Sequence, residues 1–541
     1  MARGDILLLE VADFRDPQNW RWVLKDDSGN FLQDHEVSLD LRDPSYIALL
    51  DLQRYLDSHS SPDNRIADQK RLLDELSKWI GSNVFGKVAN TLAKYRTPVT
   101  VRVLVPPEAR GIAHLPLELA EVGDRPMALR DLSLVFEIAG SEPMELDEMG
   151  ERLRMLAVFS LPTDVSALAL RRERYQLMRL INGIAQTHNL AVELRVLQYG
   201  VTRKNLRDAL EEGEGWDMVH ISGHGKQGAV VLENPDGTMD EVSSEDLADL
   251  LSLARGRLKF VTLSSCLSAA ATLEETLNWL KIPVSKEVKE ATSCDEPDGG
   301  PMPAMAQKLV ESLDCAALAM RYPVGDDFAI KLASELYERL LGKGQALPRA
   351  LQLSLKEALK RGYDAASPPL SQATPALFGR EAADLLIKPP SAPESEFRLP
   401  EPGLAYFPDE PERFVGRSGP MIKASSALAI ESDKRGVLFH GMAGAGKTTC
   451  ALELSYHHSR SHRFQGFVWY KAPDEGKEIG GALVELAMEM ERQLPGFKMV
   501  HAVGDAESFR NFLPILKGIL ESQTAHPAAS SGACSRRSSA I

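Results

Sequence analysis

Asp217-Met218-Val219-His220-Ile221-Ser222, running into Gly223-His224-Gly225, and Lys259-Phe260-Val261-Thr262-Leu263-Ser264-Ser265, running into Cys266, decide how this chain folds. Each is a short apolar run that ends on a reactive side chain. Between them lie a turn, Asn234-Pro235-Asp236-Gly237, and an amphipathic helical run at 244–253. Strand, hairpin, helix, strand in that order makes the two main strands parallel. Neighbouring parallel strands share one edge at their carboxyl ends, and binding crevices form there. His224 and Cys266 are therefore expected side by side, where a histidine and a thiol make a nucleophile with its base. The glycines flanking His224 permit a sharp turn and close approach of a substrate backbone. With no second paired ligand in the stretch, a metal site built on His220, His224 and Cys266 is disfavoured. His220 reads as a strand residue supporting the sheet.

The chain has 541 residues and a formal net charge of −15. That length corresponds to about three or four domains. An acidic balance gives no support for nucleic-acid binding through bulk charge. The five cysteines, Cys266, Cys294, Cys315, Cys450 and Cys534, are odd in number and show no paired metal-ligand spacing, which points to a reduced, cytoplasmic setting. The apolar run at 6–9 is too short for a secretory core, and Glu10 and Asp13 follow it. No run approaches the roughly 18 apolar residues of a membrane span.

Working outward, residues 1–148 read as an α/β region with strands at 6–11, 20–25 and 99–105 and helices at 46–58 and 66–80. The segment 115–120 reads as a docking element without a chemical signature. Residues 149–388 alternate regularly, with further strands at 153–159, 192–197 and 315–321 and helices at 170–186, 203–210, 327–341 and 348–359. That alternation predicts a doubly wound α/β sheet. The acidic, turn-rich segment 287–303 reads as a mobile loop, a site of self-cleavage or of ordering on activation. Asp326 and Asp327 either line an acidic pocket for a basic side chain or cap the helix that follows.

Segments 219–225, 261–269 and 322–359 together resemble the CHAT domain, a bacterial branch of the caspase-like (clan CD) cysteine peptidases. The most specific parts are Gly223-His224-Gly225, Leu263-Ser264-Ser265-Cys266 and Pro323-Val324-Gly325-Asp326-Asp327, and the resemblance covers residues 115–385. It implies a caspase-like mixed sheet with an N-terminal α/β extension. It also implies an endopeptidase with His224 as general base and Cys266 as nucleophile. The backbone N–H groups of Gly225 and Cys266 are implied as the oxyanion hole. Two positions depart from the family pattern. Leu267-Ser268-Ala269 stands where relatives often carry glycine, and Tyr322 where many carry tryptophan. The implied partners are a protein substrate and a regulatory protein or a second copy, in bacterial signalling or defence.

A linker at 389–412 follows, and its seven prolines exclude a helix or central strand. Next come Val415-Gly416-Arg417, a strand expected at 436–439, the loop Gly441-Met442-Ala443-Gly444-Ala445-Gly446-Lys447-Thr448-Thr449, and a helix at 450–458. In such a G-x4-G-K-T loop, backbone N–H groups wrap phosphate oxygens, Lys447 reaches the outer phosphates and Thr448 holds Mg²⁺. Residues 413–521 resemble the start of a STAND-type (NB-ARC-like) signalling NTPase. By that resemblance ATP or ADP with Mg²⁺ is held by Gly441, Gly444, Gly446, Lys447, Thr448 and Thr449, with Val415, Gly416 and Arg417 near the adenine. Asp505 is the sole loose candidate for the acidic residue of a second strand. Weak binding without hydrolysis is therefore expected, as in a truncated or frame-shifted product. Helices at 480–490 and 509–520 are expected to leave apolar faces exposed. Residues 522–541, 11 of them serine or alanine, read as a disordered tail. Two other classes stay open beside a nucleotide-regulated peptidase: a non-catalytic signalling adaptor with a pseudo-peptidase fold, and a protein that is primarily an ATP-binding switch.

Overall fold

The two decisive runs become adjacent strands because their apolar side chains need burial on both faces. In chain order the computed structural model forms β1 (Asp5–Asp16), β2 (Asn19–Asp26), β3 (Phe31–Ser38), β4 (Val99–Val105), β5 (Glu121–Val122), β6 (Arg125–Pro126), β7 (Leu132–Ile138), β8 (Leu153–Ser160), β9 (Val192–Gln198), β10 (Met218–Gly223), β11 (Gly225–Lys226), β12 (Ala229–Glu233), β13 (Met239–Ser243), β14 (Phe260–Ser265), β15 (Ala316–Met320) and β16 (Pro375–Phe378). It describes residues 5–140, 148–270, 304–392 and 404–523, apart from 97, 167, 255, 412, 430, 431, 433, 435, 462, 463, 465, 473–478, 495, 496, 504 and 505. Segment 287–303, Asp505, Cys294, Cys534 and the tail from 524 lie outside the described residues.

Among the described residues, eleven strands share one mixed sheet in the order β3-β2-β1-β4-β7-β16-β15-β14-β10-β8-β9. β8, β10, β14 and β15 are buried at every residue, the pattern of strands covered on both faces. β4, by contrast, alternates between buried and half-buried residues. β10 runs parallel to β14, with Gly223 opposite Ser265, and parallel to β8, with Gly223 opposite Ser160. β11, β12 and β13 form a small antiparallel sheet, and Asn234-Pro235-Asp236-Gly237 makes the turn between the last two.

The sequence boundary at 148 does not divide this sheet. β16 is only four residues long, yet it pairs antiparallel with β15 and parallel with β7. Through it β3, β2, β1, β4 and β7 join the strands that carry His224 and Cys266. The rings of Phe136 and Phe378 lie 5.7 Å apart across that junction. Gly379 gives its N–H to the Phe136 carbonyl at 2.9 Å, and a Cβ there would collide with the Cys315 carbonyl. β3 and β16 are strands that hydrophobic periodicity alone does not reveal, whereas β7, with Leu132, Leu134, Phe136 and Ile138 at alternate positions, carries the signal and is not among the strands expected from the sequence.

Among the described residues, the α-helices of this first unit are α1 (Pro44–Leu50), α2 (Leu52–His59), α3 (Arg65–Trp79), α4 (Lys87–Leu92), α5 (Leu170–His188), α6 (Arg203–Leu210), α7 (Ser244–Leu251), α8 (Met305–Leu313), α9 (Asp326–Tyr337) and α10 (Leu347–Ala358). The run 46–58 divides into α1 and α2 because the Asp51 carboxylate accepts the Arg54 N–H and caps a new helix. Compact unit one comprises Met1–Leu194, Val201–Glu233 and Met239–Ala392; unit two comprises Arg195–Gly200, Asn234–Thr238 and Pro393–Ile541.

Unit two contains α11 (Ser418–Ala427), α12 (Lys447–Arg460), α13 (Ile479–Gln493) and α14 (Ala506–Gln523). The strand expected at 436–439 does not form. Val437 and Phe439 pack against a buried cluster that includes Met421, Ile422 and Leu454, while Leu438 is 83 % exposed. A strand needs a hydrogen-bonded neighbour, and none pairs with it among the described residues. The apolar faces of α13 and α14 are covered in part, since Ala487, Phe497, Met499 and Phe512 share a cluster; Met488, Leu513 and Ile515 remain exposed. No helix among the described residues is long and apolar enough to cross a membrane.

Asp131, just before β7, ties that strand to α10 by accepting from Arg349 at 2.8 Å and from Lys356. Burial opposes its charge, but the two cations outweigh burial and hold its carboxyl below the ordinary 3.8. A depressed carboxyl contributes stability above its unfolded pKa, and that stability is lost as pH falls through the folded value. Asparagine tolerates the left-handed backbone at this position (φ 64) and removes only the charge. Asp131→Asn should cost about 1 kcal/mol at neutral pH, discounted for partial exposure. In urea unfolding the two proteins should converge on acidification; a pH-independent cost would refute the assignment.

Candidate active site

The register of β10 and β14 brings their carboxyl ends level, and the glycines there answer to clearance. Neither Gly223 nor Gly225 has a left-handed φ. A Cβ on Gly223 would stand 2.7 Å from the Ser160 carbonyl oxygen. One on Gly225 would stand 3.0 Å from Ser265 Cβ and closer still to the Cys266 carbonyl oxygen. The sharp turn expected from the sequence is therefore not what selects them; backbone-to-backbone contact is.

Cys266 is half-buried, whereas Cys315 and Cys450, the other described cysteines, are buried. Burial pushes both of those thiols up, that of Cys315 to about 12. Cys266 Sγ accepts the Val324 N–H at 3.4 Å. Leu267, the residue after the cysteine, has φ 60. A left-handed backbone costs a leucine about 1–2 kcal/mol, so the turn after the cysteine must be held from outside. The Ser268 hydroxyl does so, accepting the Met320 N–H at 2.9 Å and donating to the Leu263 carbonyl at 3.3 Å. The His114 ring donates to the Ala269 carbonyl at 3.1 Å.

His224 Nε2 lies 2.7 Å from the Ser166 carbonyl oxygen. A carbonyl only accepts, so Nε2 carries a proton, and a neutral ring would then have its lone pair on Nδ1. No hydrogen bond joins His224 to Cys266 in this state. The segment around Ser166 is itself tied down. The Leu161 N–H reaches Glu233 at 3.1 Å, and the Ala169 N–H reaches Asp326 at 2.7 Å. Asp327 pairs with Arg172 on α5. The two aspartates thus hold the start of α5, and α9 has Gly325 as its N-cap with no side-chain cap bond.

His220 is fully buried, 3.2 Å from Glu173 on α5 and 3.0 Å from the Tyr337 hydroxyl on α9. Tyr337 donates to Thr262 on β14, and Ser222 to Glu173 at 2.6 Å. Burial pushes the Tyr337 phenol well up, so it stays a hydroxyl. This network supports the sheet directly beneath the site. At the end of β15, fully buried Arg321 pairs with Glu118 at 2.7 Å. Burial, only partly offset by Arg321, raises the Glu118 carboxyl. The segment 115–120 therefore does carry chemistry. Its signal was a charge inside the apolar run Leu115-Pro116-Leu117-Glu118-Leu119. Ser166 and Ser268 act through backbone partners and leave no such signal.

Residues 70–370 match the CHAT domain. The chain belongs to the CHAT domain family. No curated protein matches it. Two crystal structures of Saccharomyces cerevisiae separase in complex with securin are similar to it at 11 % and 10 % identity, with TM-scores of 0.41 and 0.40. They cover 70 % and 69 % of this chain, which spans only 30 % of the separase chain in each case.

Beyond the CHAT domain, Gly441, Gly444 and Gly446 all have positive φ, and a Cβ on Gly444 would meet open space. Lys447 Nζ donates to the Gly441 and Met442 carbonyls at 2.9 Å each. Arg417 reaches the Ala445 carbonyl at 2.9 Å, which brings the Val415-Gly416-Arg417 segment to the loop; Val415 is 89 % exposed. Thr448 is exposed and Thr449 half-buried at the start of α12.

Gly225→Ala should be damaging because backbone, unlike a flexible side chain, cannot give way; overpacking of this kind costs about 1–3 kcal/mol. Alkylation of Cys266 should also change rate as its carbonyl is displaced. Gly183→Ala, in α5 with nothing within 4 Å, is the control and should raise stability by about 0.5–1 kcal/mol. Equal thermal unfolding of the two variants would refute the clearance argument.

Proposed function

We propose that this CHAT domain is a cysteine endopeptidase acting on a polypeptide, with Cys266 as nucleophile and His224 as base. The observation that supports the reading is that parallel β10 and β14 end level, so that a half-buried cysteine follows one and a histidine whose Nε2 proton is held by the Ser166 carbonyl follows the other. With Nε2–H so held, Nδ1 takes the proton from the Cys266 thiol as the ring swings toward it. Catalytic contacts of this kind commonly close only when substrate binds. The thiolate attacks the scissile carbonyl, and the N–H groups of Gly225 and Cys266 receive the developing oxyanion. The imidazolium then gives its Nδ1 proton to the leaving amine, leaving a thioester. Water, deprotonated by the same nitrogen, hydrolyses the thioester and restores the thiol.

We further propose that the Gly441–Thr448 loop binds ATP or ADP with Mg²⁺ as a STAND-type regulatory module. Its left-handed glycines and open cradle fit phosphate oxygens. The Lys447 ammonium, satisfied here by two loop carbonyls, would exchange them for phosphate, and Thr448 would hold the metal. Bound nucleotide would supply a charged ligand whose presence biases the module between states.

Cys266→Ala and His224→Ala should each abolish peptide cleavage and leave folding intact, and the double variant should be no worse than either single one. A thiol-directed peptide probe should label Cys266 and spare buried Cys315. Cleavage that survives Cys266→Ala would overturn the mechanism. Labelling without any cleavage would instead favour an adaptor with a pseudo-peptidase fold. For the second unit, calorimetry should show ATP binding in the full chain and its loss in Lys447→Ala; equal heats in both would remove the nucleotide reading.

A further inference from the structure

A cavity of about 670 Å³ lies between α2, α3 and the segment 365–370, with Pro323 in its wall. The next residue, Val324, gives its N–H to Cys266 Sγ. Consecutive Cα atoms are about 3.8 Å apart, so the cavity begins one residue from the partner of the nucleophile. A Cβ on Gly325 would stand 2.9 Å from the Ala366 carbonyl oxygen, which fixes the opposite wall to the same loop.

The lining has a definite chemical sense. Gln69 on α3 is 4 % exposed, lines the cavity, and has no hydrogen-bond partner for its Oε1. A buried acceptor left unpaired is costly, which marks a place for a donor. Asp57 and Arg65, also in the wall, neutralise one another at 2.6 Å. Asp63 on the rim has no ion-pair partner among the described residues, so the charge left over is negative. Leu56 and Ile66 supply aliphatic walls. An inner acceptor, a free carboxylate at the rim and apolar sides match a long cationic donor with an aliphatic stem.

We propose that this cavity is a substrate subsite that takes the arginine or lysine side chain of a polypeptide. The substrate's identity rests on the peptidase reading; the preference for a cation rests on the cavity alone. Asp326 and Asp327, which the sequence offers for this task, are engaged with α5 and are not free for it.

The test titrates the full-length Cys266→Ala protein with fluorescein-labelled Ala/Gly octapeptides that carry one arginine, moved a position at a time. Citrulline in place of arginine is the uncharged control. At one position arginine should bind at least five-fold tighter than citrulline. Asp63→Asn should erase that difference. Gln69→Leu should weaken arginine and citrulline peptides alike, because both donate to Oε1. Unchanged melting temperatures exclude misfolding as the cause. No position with a difference, a difference that survives Asp63→Asn, or binding untouched by Gln69→Leu overturns the proposal. Cleavage by the unmodified protein without an arginine preference sinks this inference alone; an arginine preference without cleavage sinks the peptidase reading alone.

Discussion

The backbone of Gly225 lies so close to the Cys266 carbonyl that no side chain fits between them. That contact is the constraint on which the candidate site depends. It requires β10 and β14 to be parallel and in one register, and it requires glycine at a position that composition alone would leave free. A slip of one residue would turn every side chain of a strand to the other face. His220 and Ser222 would then lose Glu173, and Thr262 would lose Tyr337. The polar network under the sheet and the glycine contact above it therefore enforce the same alignment from two sides.

Charged groups do comparable work at the ends of these strands. Asp217, fully buried, accepts the Arg154 N–H at 2.8 Å and pairs with Arg257 at 3.0 Å where β10 begins. Arg321 and Glu118 do the same where β15 ends. Replacing both members of such a pair with packed apolar groups is often tolerated, whereas removing one leaves a buried charge and typically costs about 3–5 kcal/mol. Their placement at strand ends fits a role in alignment better than one in net stability.

The strands bearing His224 and Cys266, their parallel pairing, the turn at Asn234 and the helices α5, α6 and α10 were legible because each shows a strong period or a turn signal. β3, with its Gln33-Asp34-His35-Glu36 centre, has too few apolar residues to register. β16 begins with a proline and has only four residues, so its pairing on both sides is a tertiary fact. The strand expected before the Gly441 loop had the right composition and lacked a neighbour. At the candidate site, the sequence named His224 and Cys266 as candidates, and the groups that contact them were not readable. Ser166 contributes a carbonyl and Val324 an N–H, groups that every non-proline residue possesses. The role proposed for Gln69 and Asp63 likewise arises from a cavity wall that no local pattern encodes.

The four-residue strand β16 also sets a timetable. Ribosomes deliver β7 long before β16, and at about 5–20 residues per second the interval between them lasts tens of seconds. Through that interval the edge of β7 that β16 covers has no partner within the nascent chain, and β15, once made, lacks its own until β16 follows. Pairings so distant in sequence close slowly, and unpaired edges recruit other chains. A nascent chain of this protein thus holds both reactive residues before its sheet can be joined. The sheet that frames His224 and Cys266 is thus completed only when Leu377 and Phe378 emerge, so its last join is made long after its first strands.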